Sequence, residues 1–150
     1  MVTKLVFFFV FFRFVLYFFF SFAGVWQNIL LLSAVGSVTI GALGALAQTK
    51  IKRIMAYTSI SQVGFALLGM STGSVGGIVS TVFFMFIYTL TVMAFFIVML
   101  NTSSIFYDKP LEYISDFNGM ATSRFNSVGN LIALSIVLLS MAGIPPLAGF

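Results

Sequence analysis

Apolar residues fill five long blocks of the chain, separated by polar breaks and carrying few charges inside any block. About 20 consecutive apolar residues cross a bilayer as a helix. The blocks therefore predict an all-α membrane protein with about five transmembrane helices: Leu5–Phe22, Asn28–Ala47, Ile54–Met70, Gly77–Leu100 and 128–144, the last meeting Pro145-Pro146. Connections are short except Asn101–Ser127, which holds all three acidic residues.

Polar positions inside the blocks are patterned. In the second span Ser33, Ser37, Gly41 and Ala45 recur every four residues. Such a small-residue stripe lets another helix approach closely. In the third span Tyr57, Thr58, Ser61 and Gln62 share a face at i, i+4 spacing, and in the fourth Tyr88 and Thr91 lie one turn apart. These faces call for protein or water rather than lipid, although interhelical hydrogen bonding alone is enough to account for them.

Composition excludes a soluble domain. Of 150 residues, 61% are hydrophobic and only 7% charged, with a mean hydropathy of +1.17, where a soluble domain carries charge at about a quarter of its positions. The net charge of +4 comes from scattered cations between apolar spans, which is no nucleic-acid footprint. The absence of Cys and His rules out disulfides, thiolate-ligated clusters, the usual zinc sites and His-ligated haem. No Arg/Ser-rich transit peptide precedes the first span, and no convincing cleavage site follows it, so it reads as a retained span. Twenty Phe suit a product encoded in an AT-rich organellar genome.

Five spans in series put Lys4, Lys50, Lys52, Arg53, Lys109 and Arg124 on one face, while the turns near Trp26 and Ser71–Gly76 carry no charge. The positive-inside rule makes the charged face cytoplasmic, or the matrix side of a mitochondrion. Lys50, Lys52 and Arg53 are topogenic on this reading, and Trp26 is an interfacial anchor.

Two features remain. Arg13 lies in the middle of the predicted first span, where an arginine costs about 2.5–3.5 kcal/mol on insertion scales. Either it snorkels to an interface or it is a fixed charge on a buried hydrated path, since arginine hardly ever deprotonates. Pro145-Pro146 either stops the last helix at the interface or interrupts it inside the membrane, as in transporter ion sites.

Four motifs follow one another: Gln48-x-x-Ile-Lys-Arg-x-Met-Ala-Tyr-Thr-Ser-Ile-Ser-Gln-x-Gly64, Tyr88-Thr-Leu-Thr-x-x-Ala-Phe-Phe96, Ile114-Ser-Asp-Phe-Asn-Gly119 and Ser140-Met-Ala-Gly-Ile-Pro-Pro-Leu-Ala-Gly-Phe150. In order and interval they resemble the antiporter-like membrane subunits of respiratory complex I (NADH:ubiquinone oxidoreductase), most closely its subunit 2 branch. The resemblance covers residues 28–150 well and 1–27 loosely. It implies a fourteen-helix proton-translocating module, of which this chain supplies roughly helices eight to twelve.

It further implies that NADH, FMN, iron–sulfur clusters and ubiquinone belong to other subunits of the complex, in the mitochondrial inner membrane. Arg13 falls near the central lysine of the family's helix eight. Together with Tyr57, Thr58, Ser61, Gln62, Tyr88 and Thr91 it forms the expected proton path, with the broken last span beside it. The glutamate and lysine of the family's first half-channel have no counterpart here. The expectation is a split subunit in which a separate chain carries the missing helices, beside other membrane-arm subunits and lipid. A multi-subunit cation/proton antiporter shares these motifs, and a scaffold with a degenerate channel is the structural alternative.

Overall fold

The computed structural model describes residues 2–18, 22–106, 112–117 and 127–144. They form five α-helices: α1 (Val2–Phe18), α2 (Ala23–Leu46), α3 (Ile51–Ser71), α4 (Val75–Phe106) and α5 (Ser127–Met141), with a 3₁₀ turn at Ile114–Phe117. Among the described residues there is no strand, only an isolated antiparallel bridge between Lys50 and Tyr113. Segments Gly24–Leu46, Ile51–Ser71 and Val75–Asn101 are long and apolar enough to cross a membrane, while Val6–Val15 and Gly129–Met141 are apolar but shorter. The helices fall on the five predicted blocks. α4 runs past its predicted end at Leu100 to Phe106, into the polar Asn101-Thr-Ser-Ser. There the Asn101 amide donates to Asn130 Oδ1 of α5 at 3.4 Å, a tertiary contact that hydropathy does not register.

The chain divides into two compact units, Met1–Gln48 with Arg53–Thr89, and Thr49–Lys52 with Leu90–Phe150. In the first, α1 contributes Phe8, Phe12 and Val15, spaced i, i+4, i+7 on one face. Phe12 and Val15 cluster with Leu30, Met70, Trp26 and Ile78, and Phe8 with Ala66 and Met85. Exposed aromatics such as Phe7, Phe14 and Phe18 suit a solvent of acyl chains, in which apolar surface has no reason to hide.

Glycine sets the local geometry at three places. On α2, a Cβ at Gly41 would stand 2.7 Å from the Ser61 nitrogen and 2.9 Å from the Tyr57 carbonyl oxygen, so α2 and α3 touch backbone to backbone. Gly73, at φ +62°, ends α3, and Ser74 then caps α4 by accepting the Gly77 N–H at 3.1 Å. Gly143, at φ +73°, ends α5: its N–H bonds to Ser140 O, and the Ile144 N–H reaches back to Leu139 O at 3.3 Å. That pair of bonds is a Schellman stop. The last helix is therefore closed by Gly143, ahead of the prolines that were expected to interrupt it, and Pro145 and Pro146 lie outside the described residues.

Candidate functional site

The expected site divides among several surfaces. On α3, Tyr57 and Ser61 turn toward α2. The Tyr57 ring lies 2.5 Å from where a Cβ on Gly44 would sit, so only glycine admits it. Ser61 donates to Thr58 O at 2.8 Å, and Thr58 donates to Met55 O at 3.1 Å. Gln62 is half-buried one turn past Thr58. Each hydroxyl proton is thus committed to its own helix, and each oxygen keeps lone pairs that accept. On α4 the Tyr88 hydroxyl oxygen is buried, and Thr91 is half-buried one turn further along.

Arg13 is not brought to these groups. Its side chain is exposed and lines a surface shared with Val6, Phe9, Val10 and Phe12, all from α1. It lies five residues before the end of α1 at Phe18, about 7.5 Å along the axis. Its neighbours in that turn, Phe12 and Val15, pack with Trp26, Met70 and Ile78, which all lie within a turn of the Trp26-side helix ends. Arg13 thus stands in the turn of α1 that packs near the Trp26-side helix ends.

The predicted stripe on α2 faces its own chain. Gly41 meets α3 directly, and the Ser37 hydroxyl lies where a Cβ on Gly64 would fall. Ser33 is exposed and Ala45 half-buried. Three residues that no sequence pattern marks are buried in their own units. Thr81 is buried against Gly69, Ser140 is buried on α5, and Ser59 is buried on the wall of an open groove of about 520 Å³ shared with Ser33, Ser37, Phe7, Phe11, Ile60 and Val63. Only contact between helices, which no single stripe reveals, picks these out.

At the cationic end, Lys50 Nζ lies 3.8 Å from Glu112 Oε2 and 5.0 Å from the Tyr113 ring centroid. The Ile51 N–H, the first of α3, donates to Glu112 O at 3.0 Å, and the Ile114 N–H donates to Thr49 O at 3.2 Å. Asp116 Oδ2 accepts from the N–H groups of Glu112 and Tyr113 at 3.1 and 2.9 Å. The acidic turn thus stands in for a missing α3 cap. Lys52 and Arg53 are exposed.

A family model, NADH:quinone oxidoreductase/Mrp antiporter, TM, matches residues 1–150. The chain is 42% identical over 125 residues to a protein of Hirschia baltica named NADH-quinone oxidoreductase subunit N, covering 83% of this chain and 25% of that one. It is 41% identical over 143 residues to the subunit N of Pelagibacter ubique, covering 94% and 29%. To NADH-ubiquinone oxidoreductase chain 2 of Marchantia polymorpha it is 43% identical over 126 residues, covering 83% and 24%. The chain spans about a quarter of the length of these curated relatives. With apolar helices fit to cross a bilayer and a family match from its first residue to its last, it belongs to the NADH:quinone oxidoreductase/Mrp antiporter transmembrane family.

Proposed function

We propose that this chain is part of an antiporter-like membrane subunit of respiratory complex I, of the subunit 2 or N type, and takes part in proton translocation driven by quinone reduction. The observation that carries the reading is the family match over residues 1–150 together with relatives named subunit N and chain 2. Those names favour it over the cation/proton exchanger that the family description also covers. The chain has no Cys or His, so in this reading NADH, FMN, iron–sulfur clusters and ubiquinone are bound by other subunits. Other membrane-arm subunits and lipid are its partners. The liverwort relative and the Phe-rich composition support a mitochondrial inner membrane; the bacterial relatives fit a cytoplasmic one equally well.

In this reading the chain's contribution is electrostatic and positional. Thr58 and Ser61 present acceptor oxygens, Tyr57 and Tyr88 supply phenolic hydroxyls, and Gln62 and Thr91 extend the polar surface. Arg13, a permanent cation on the outer side of α1, acts as a fixed charge toward companion helices and does not itself carry a proton. The test is proton pumping per NADH oxidised in sealed native-membrane vesicles carrying Arg13→Ala. Pumping and coupled NADH oxidation should both fall while assembly stays intact. A normal proton-to-electron ratio in that variant would remove Arg13 from the mechanism. It would favour the scaffold reading.

A further inference from the structure

The groove bounded by α1, α2 and α3 has a wall that looks polar in sequence and behaves as apolar. Ser33, Ser37 and Ser59 donate to Leu30 O, Ala34 O and Ala56 O at 2.8, 2.9 and 2.7 Å. Their hydroxyl protons are spent within their own helices, so the wall offers water only scattered acceptors among Phe7, Phe11, Ile60 and Val63. A trapped water needs two to four polar partners; hydrocarbon needs none. The volume of about 520 Å³ lies inside the range of roughly 300–1,000 Å³ typical of small-molecule sites, and the side toward Phe7, 71% exposed, is open.

A cation on the α3 face that carries Ile60 selects the occupant. Arg53 is exposed on α3 seven residues before Ile60. Seven residues are nearly two full turns, which puts Arg53 on the same face as Ile60, about 10 Å below it. Its guanidinium is suited to bidentate contact with a phosphate. We propose that this groove seats one acyl chain of an anionic glycerophospholipid whose phosphate is held by Arg53. The proposal requires the membrane setting of the family and is independent of whether this segment moves protons.

The experiment uses the protein in the assembly purified from its native membrane. That assembly is incubated with phosphatidylglycerol bearing a photoactivatable diazirine on one acyl chain, irradiated and digested. Label is expected on the peptides containing Phe7–Phe11 and Ile60–Leu67. It should be lost in Val63→Trp, which fills the groove; Ile60→Trp, at the exposed rim, serves should the first variant not assemble. Arg53→Gln should reduce the preference for phosphatidylglycerol over phosphatidylcholine about fivefold, the effect of one surface cation on an anionic lipid. Undiminished label in the tryptophan variants, an unchanged lipid preference in Arg53→Gln, or photocrosslinks from a probe at Phe7 that land on another protein helix would each overturn the proposal.

Discussion

At Gly41 an added side chain has nowhere to go, because its nearest neighbours are the Ser61 nitrogen and Cβ and the Tyr57 carbonyl oxygen. Gly41→Leu should destabilise the bundle by about 1–3 kcal/mol or more through overpacking, seen as a lower midpoint in thermal unfolding of the detergent-solubilised protein. Gly36→Ala, where an added Cβ meets nothing within 4 Å, should leave that midpoint unchanged. Gly73→Ala meets two obstacles: a left-handed backbone, which costs an L-residue about 1–2 kcal/mol, and the Gln27 amide nitrogen. Adding Gln27→Ala should restore only the steric part, so full recovery in the double variant would argue against the backbone term. The stripe Ser33/Ser37/Gly41/Ala45 could be read from its spacing because helical periodicity is local. Whether it faces a companion or its own α3 could not, since that depends on Gly64 and Tyr57 in another helix.

Among the elements, the acidic turn is held by hydrogen bonds more than by its ion pair. Lys50 and Glu112 are 39% and 47% exposed at a separation of 3.8 Å, and such pairs contribute at most about 1 kcal/mol. Asp116 instead accepts two N–H groups, and hydrogen bonds to charged groups contribute about 1.5–3 kcal/mol. Asp116→Ala should raise amide exchange at Glu112 and Tyr113 by on the order of tenfold or more, while Lys50→Ala should change it far less. Helix existence was legible because apolar blocks of spanning length have few other solutions. Helix ends were less so. α4 continues through Asn101 because Asn130 receives it, and α5 stops at Gly143 because its left-handed conformation closes the last turn.

For the molecule as a whole, sidedness is the property most open to test. α3 has 21 residues, about 31 Å of helix, against a hydrocarbon core of about 30 Å. Thr49→Cys and Ser74→Cys should therefore react with an impermeant maleimide from opposite sides of sealed vesicles. The chain has no native Cys, so each label on it is unique. Modification of both from one side would show that α3 does not span, and modification of Ser74→Cys from the cytoplasmic or matrix side with Thr49→Cys from the other would reverse the orientation drawn from Lys50, Lys52 and Arg53. Fold class was readable from hydropathy and motifs together. The arrangement of the site was not, because the placement of Arg13 follows from the packing of Phe12 and Val15 against Trp26, Met70 and Ile78 on other helices, and no pattern within α1 encodes those partners.

The seam at Gly41, Gly44 and Gly64 also has a mechanical meaning. Where side chains interdigitate, a push on one helix is partly absorbed by rotamer changes before its neighbour responds. Here main chain abuts main chain at Gly41, the Tyr57 ring lies against Gly44 and the short Ser37 side chain meets Gly64, and a close-packed interior compresses little. α2 and α3 should then travel as a single lever, so that a nudge at Tyr57 arrives on the far helix undamped, and any give in this region has to be sought where longer side chains fill the space.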